Sequence, residues 1–403
     1  MPIGSDKGSF IKPGVDPLAA GPEQYSGNWN LQTQGQAVGA YTWPGVVIPE
    51  ELYAWGYNNL GQLGQNNTTN YSSPVQVGAL NTWSKVSAAA SQRSSFGITT
   101  TGKLYAWGSN SQGQLGLGNK INRSSPTQVG ALTTWAKAAG GQNHSAFLKT
   151  DGTLWTCGEA NFGQLGHGVD VDKSSPVQVG ALTTWADIAC DYAGTFAIKT
   201  DGTFWAWGQN NNGQLGQNNT TNYSSPVQVG ALTNWSKVSA NQEGFFIATK
   251  TDGTIWGCGR NNFGQLGQNN TTNYSSPVQV GALTTWSKPA AGDYFSLAIK
   301  TDGTFWAWGN GIHGQLGQGN TTNYSSPVQI GALTDWLNIS AGSYFTAAVR
   351  TNGTLWTFGS NGNGRLGLGD TTYRSSPTQV GALTTWSEVA CGQSHTLATK
   401  SIV

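Results

Sequence analysis

Seven copies of one pattern run from Glu51 to the C-terminus, and this period constrains the fold more than any other feature. The anchor Gly-Gln-Leu-Gly places Leu63, Leu115, Leu165, Leu215, Leu266, Leu316 and Leu366 at spacings of 50 to 52 residues, with Arg365 replacing Gln in the last copy. Ser-Ser-Pro keeps step from Pro74 to Pro377, and a Trp follows nine residues after each of these prolines, from Trp83 to Trp386. A strict period near fifty residues specifies an array of like units, each burying its apolar face on its neighbours.

Residues 150–200 illustrate one unit. Asp151-Gly152 supplies the positive backbone angles of a tight hairpin. Strands are expected at 145–149 and 154–157 on either side of it, and again at 174–179 and 186–190. Pro176 stands near a strand start, where a missing N–H donor is harmless. No segment keeps a helical period for three turns. Four short strands per copy make a propeller blade, so the fold class is all-β. The hairpin turn occurs six times, at Gly102, Gly152, Gly202, Gly253, Gly303 and Gly353. The first copy opens on the unpartnered strand Glu51-Leu-Tyr-Ala-Trp55, and the last ends on an unpartnered strand at Val403. Pairing the two would close the ring and remove both exposed edges. The expected domains are residues 1–50, an extended N-terminal arm, and residues 51–403, a seven-bladed β-propeller.

The pattern Trp-Gly-x-Asn-x-x-Gly-Gln-Leu-Gly, complete at 55–64, 107–116 and 207–216, resembles the regulator of chromosome condensation repeat. That resemblance covers 51–403 and implies a seven-bladed propeller whose Gln and Leu knit adjacent blades. The founding member's exchange of nucleotide on a small GTPase is not expected: the repeats carry no long insertion and no Lys/Arg cluster. Light sensing by the plant relative uses Gly-Trp-Arg-His-Thr, which is absent; Asn143 and Ser394 precede His144 and His395.

Charge argues in the same direction. Twenty basic residues stand against 19 acidic ones, a net charge of +1, which attracts neither nucleic acid nor an anionic membrane. No run of apolar residues is long enough for a membrane span, and the first residues lack the pattern of a secretory signal. Cys157, Cys190, Cys258 and Cys391 occupy repeat positions held elsewhere by Trp, Phe or small residues, and no Cys-x-x-Cys pair occurs. They read as buried spacers, compatible with a reducing compartment. His167 and His313 lie in loops without a matching acid, and read as solvated. No catalytic motif appears, so no enzyme activity, cofactor or metal is expected.

Residues 65–80 recur identically at 217–232 and 268–283, and the copy at 318–333 differs only at Gly319 and Ile330. Fold alone does not demand such identity; recent duplication explains it. The loops are uncharged, and Tyr71, Tyr223, Tyr274 and Tyr324 recur in them as candidates for a binding rim, since Tyr gives contact area and small polar groups give hydrogen bonds. The alternative is a set of turns that merely cap themselves.

Residues 1–50 belong to no copy and are too rich in Pro and Gly to form a core. Yet residues 25–45 are aromatic, and they resemble the segment near the start of structural proteins of marine bacteriophages. That resemblance implies an anchor built on Tyr25, Trp29, Leu31 and Trp43 that attaches to other virion proteins. The expected function is a non-enzymatic virion protein (a fibre, neck or decoration component) displaying its propeller to a host-surface glycan or protein. The alternative is a cytoplasmic scaffold that binds a regulatory protein.

Overall fold

A computed structural model of the chain describes residues 49–89 and 93–402. Residues Glu50–Ser401 form one compact unit of seven four-stranded antiparallel sheets. The first sheet runs β3 (Trp83–Ala88), β4 (Ser94–Thr99), β5 (Leu104–Gly108), β6 (Arg123–Gln128). Each blade therefore begins at a phased Trp, out of step with the hairpin-to-hairpin repeat. In the unit read above, the strands are His144–Lys149, Leu154–Gly158, Lys173–Gln178 and Trp185–Cys190, within one residue of expectation.

The seventh sheet closes the ring. It is assembled from β27 (Trp386–Cys391) and β28 (His395–Ser401) with β1 (Glu50–Gly56) and β2 (Tyr71–Gln76). β1 pairs with β28 in unbroken register, Glu50 opposite Ser401 through Gly56 opposite His395. The two strands without sequence partners are thus each other's partner.

Sequence dictates the turns. Gly152 has φ +76°, and a Cβ there would lie 2.2 Å from the Thr183 carbonyl oxygen, so a side chain is excluded both by conformation and by space. The Asp151 carboxylate accepts from the Thr153 N–H at 2.9 Å and its hydroxyl at 2.7 Å, holding its pKa below the usual carboxylate value. In the loop after β1, the buried Asn58 donates to the Asn67 and Thr69 carbonyls and accepts from the Leu63 N–H. One side chain thereby folds the whole Trp-Gly-x-Asn loop.

The core lies between blades. Phe196, Phe204, Trp235 and Phe246 form one cluster spanning two adjacent sheets. The Gln of Gly-Gln-Leu-Gly acts there through its backbone: Gln62 O accepts from Trp107 Nε1 and from the Ser95 hydroxyl. Gln164 O accepts likewise from Trp207 and Thr195, and Gln265 O from Trp308 and Ser296. The four cysteines are free and buried, and Cys157 places its thiol 3.5 Å from the Gln114 carbonyl, where other blades set an indole.

Candidate functional site

The innermost strand of every blade lines a central channel. These strands are β3, β7 (Trp135–Gly140), β11 (Trp185–Cys190), β15 (Trp235–Asn241), β19 (Trp286–Ala291), β23 (Trp336–Ala341) and β27. Each starts at its Trp at one mouth and ends at a tight turn at the other. Lys288 and Asp293, five residues apart along β19 and its turn, are therefore separated by roughly 16 Å. The two mouths carry different chemistry.

At the first mouth, the residue two after each Trp lines a cavity of about 630 Å³: Lys85, Lys137, Asp187, Lys237, Lys288, Asn338 and Glu388. Lys137 is ion-paired with Asp187, whose other oxygen accepts from the Val238 N–H at 3.1 Å. Asn338 accepts from Lys288 and donates to the Ser387 carbonyl. Burial and the nearby Glu50 charge raise the Glu388 pKa, against the pull of Lys85 and Lys288.

The second mouth departs from sevenfold repetition. Five rings from three successive copies touch in a chain. Phe263 meets Tyr294 edge-on at 5.1 Å, and Tyr294 stacks on Tyr344 at 6.2 Å. His313 sits edge-on to Tyr344 at 5.0 Å and to Tyr373 at 5.7 Å. Charge flanks this arc. Arg260 pairs with Glu243 at 2.6 Å and covers Tyr294 at 5.3 Å. Asp293 is buried, and burial lifts its pKa to about 8, reinforced by Glu243 and opposed by Ser343 and Arg365. The Ser343 hydroxyl is close enough to oppose that shift, yet Asp293 Oδ1, Ser343 Oγ and Arg365 Nε all lack a well-formed hydrogen bond. Burial lowers the His313 pKa, as does Arg365, so this ring is neutral near pH 7.

The predicted rim tyrosines stand at the start of the outer strand in four of the seven blades, the other three outer strands starting at Arg123, Lys173 and Arg374. Each is half-buried, and the Tyr71, Tyr223, Tyr274 and Tyr324 hydroxyls accept from Asn67, Asn219, Asn270 and Asn320 of their own loops at 3.0–3.1 Å. Among the described residues, no ring contact joins one of them to another. Tyr25, Trp29, Leu31 and Trp43 lie outside the described residues. No group of three or more His, Cys, Asp or Glu able to hold a metal occurs among the described residues, and no helix there is long and apolar enough to cross a membrane.

The model of the regulator of chromosome condensation (RCC1) repeat matches seven times, at 50–96, 101–148, 151–198, 201–243, 252–299, 302–349 and 352–399. The chain belongs to the RCC1 repeat family. Among its relatives, the ultraviolet-B receptor UVR8 of Arabidopsis thaliana is 35% identical over 83 residues, which is 21% of this chain and 19% of that protein. Protein RCC2 homolog of Xenopus laevis is 34% identical over 112 residues, 27% of this chain and 22% of the relative. The matched stretches thus span about a fifth of those relatives' own length. Among solved structures, Prp20p of Saccharomyces cerevisiae, described with its binding properties to Gsp1p and histones, superposes with a TM-score of 0.78 at 18% identity, covering 89% of this chain and 93% of that one. That likeness concerns the fold.

Within this RCC1-repeat propeller, the aromatic arc was not anticipated from sequence. Its members fill the variable positions of the motif, Phe263 and His313 just before the Gly of Gly-Gln-Leu-Gly, and the turn after the inner strand, Asp293-Tyr294 and Ser343-Tyr344. Comparing copies for where they differ, rather than where they agree, would have found them. His313 is correspondingly not a free, solvated loop residue, and His144 and His395 are buried entirely.

Proposed function

We propose that this chain is a non-enzymatic propeller scaffold that binds a protein partner across the second channel mouth. The observation carrying this reading is the contiguous arc Phe263–Tyr294–Tyr344–His313–Tyr373 at positions where otherwise near-identical copies diverge. A ring does not need these residues, since the other blades close without them. Aromatic side chains flanked by Arg are the composition of interface anchors. Prp20p, a relative in fold, binds proteins by its published description, which supports the same use here. The scaffold would act in the cytoplasm. Photo-crosslinking from a benzophenone amino acid at Tyr344, set against one at Tyr223 on the outer rim, tests this reading: adducts to one protein from position 344 alone support it, and equal or absent adducts oppose it.

A second reading has its own motive. The ring closes through strands that begin at Glu50, and the sequence ahead of Glu50 carries the aromatic segment 25–45. In that reading Tyr25, Trp29, Leu31 and Trp43 attach the chain to virion proteins, and the propeller faces a host glycan or protein, with the rim tyrosines as further contacts. Immunogold labelling of purified particles with antibodies to residues 51–403 separates the two: gold at a fixed site on virions favours display, and signal confined to host cytosol favours the scaffold.

A further inference from the structure

The mouth opposite the aromatic arc holds positive charge that its own ring does not neutralise. Lys137 is satisfied by Asp187, and Lys288 by Asn338 and the Leu337 carbonyl. Lys85 and Lys237 are exposed and have neither a hydrogen bond nor a contact ion pair among the described residues, the neighbouring Glu388 acting on Lys85 through space alone. They stand on the first and fourth blades, on almost opposite sides of a seven-blade ring. Lys237 neighbours Lys288 with no acid between them in the ring, and its charge helps burial lower the Lys288 pKa. The wall between these heads is apolar: Val86, Val238, Pro289 and Ile339 line the same cavity of about 630 Å³, within the roughly 300–1,000 Å³ of clefts that hold ligands.

Each feature restricts the occupant. Lysines spread around a channel cannot converge on one small anion, and the aliphatic wall gives an inorganic ion nothing to bind. A net charge of +1, with Asp187 and Glu388 in the same ring, does not suit a nucleic acid backbone. We propose that this mouth is a docking site for an extended acidic peptide segment of a partner protein, its carboxylates on Lys85 and Lys237 and its aliphatic side chains against the part-exposed Val86, Pro289 and Ile339. Carboxylate–ammonium contacts supply the charge complementarity and set the orientation, while the aliphatic wall desolvates the segment's apolar side chains. The site is separate from the arc, so it stands or falls independently of the partner face proposed above.

Fluorescence anisotropy of the full chain with a labelled short peptide alternating Glu and Leu tests it, with a Gln/Leu peptide and inorganic phosphate as competitors. The expected result is saturable binding that weakens with salt, falls by roughly tenfold or more in Lys85→Gln/Lys237→Gln, and is unchanged in Tyr344→Ala. The Gln/Leu peptide and phosphate do not compete. Absence of binding to the wild-type chain, equal binding by the lysine variant, or competition by the Gln/Leu peptide overturns the proposal. Displacement by millimolar phosphate overturns it in favour of a small-anion site. Both lysines are exposed, so the double variant retains the fold, and circular dichroism with a thermal melt verifies this.

Discussion

Trp55 donates its indole N–H to the carbonyl of Arg365 at 2.9 Å, across 310 residues of chain. The same bond joins Trp107 to Gln62 only 45 residues away. Six of the seven blade interfaces are made by neighbours in sequence; the seventh uses the same chemistry between the two ends of the ring. The repeat therefore encodes an interface as much as a blade, and ring closure reuses it between the first copy and the last.

Removing β1 should open the ring. Leu52, Ala54 and Trp55 are wholly buried, and without β1 the β28 edge is exposed. A chain lacking residues 1–56 is expected to lose its cooperative thermal transition and to aggregate, whereas one lacking residues 1–48 should keep the wild-type transition. Differential scanning calorimetry with size-exclusion chromatography distinguishes them; a cooperative transition in the shorter chain would refute closure by this pair.

At Trp308 the chain supplies its own control. Its N–H donates to Gln265 O at 2.8 Å, but Phe358 occupies the equivalent place one blade on and has no donor to offer. Because Ser296 also donates to Gln265 O at 2.7 Å, Trp308→Phe leaves that carbonyl partnered. It should cost about 1–2 kcal/mol from the lost bond and volume. Trp308→Ala, which leaves a cavity, should cost about 3–5 kcal/mol. Urea denaturation measures both, and equal costs would contradict this account of the interface.

How much was legible follows from what each residue depends on. The blades, hairpins and clasp depend on local pattern and are visible in one copy, as Asp151-Gly152 and the unpaired strand at Glu51 show. His144 and His395 depend on the next blade. His395 Nε2 lies 2.9 Å from the Ser95 hydroxyl, a relation between strands three hundred residues apart that no local pattern announces. The arc escapes for a different reason: Tyr294 and Tyr344 matter because they break the repeat, and periodicity averages such positions away. The charged ring stands two residues after each Trp, in plain view, but its meaning requires knowing that this strand faces the channel.

Stability should decline from about pH 6.5 to pH 8. Burial raises Asp191 to about 7 and Asp293 to about 8. A carboxyl held protonated by the fold stabilises it below the unfolded pKa, and that contribution is lost as pH rises through the folded value. His144 and His395 act in the opposite sense, since burial lowers them to about 4 and about 3. The Ser95 hydroxyl donates to Gln62 O, so His395 Nε2 is the donor to Ser95, and the lowered pKa keeps the ring neutral near pH 7. The histidines favour the fold increasingly between about pH 4 and 6.5 and offset the aspartates there. Above that range the aspartates act alone, each with up to about 1.4 kcal/mol per pH unit. Melts across pH should show the decline, and Asp293→Asn should flatten it; an unchanged slope in that variant contradicts the assignment.

The four thiols should be inert in the native protein. Burial raises the pKa of each, Cys190 and Cys391 to about 12 and Cys157 and Cys258 further, so the reactive thiolate is scarce and inaccessible. A thiol reagent at pH 8 should label none without denaturant and all four with it. Rapid labelling of one under native conditions would show that its blade interface opens.

The central claim is that the arc at the second channel mouth is where a protein partner binds. Its most direct test is affinity purification with mass spectrometry from cells of the source, using the wild-type chain, Tyr294→Ser/Tyr344→Ser and the outer-rim variant Tyr223→Phe. The account predicts one partner recovered by the wild type and by Tyr223→Phe, and lost in the double variant while its melting transition persists. Recovery of the same partner by the double variant at wild-type yield would contradict it.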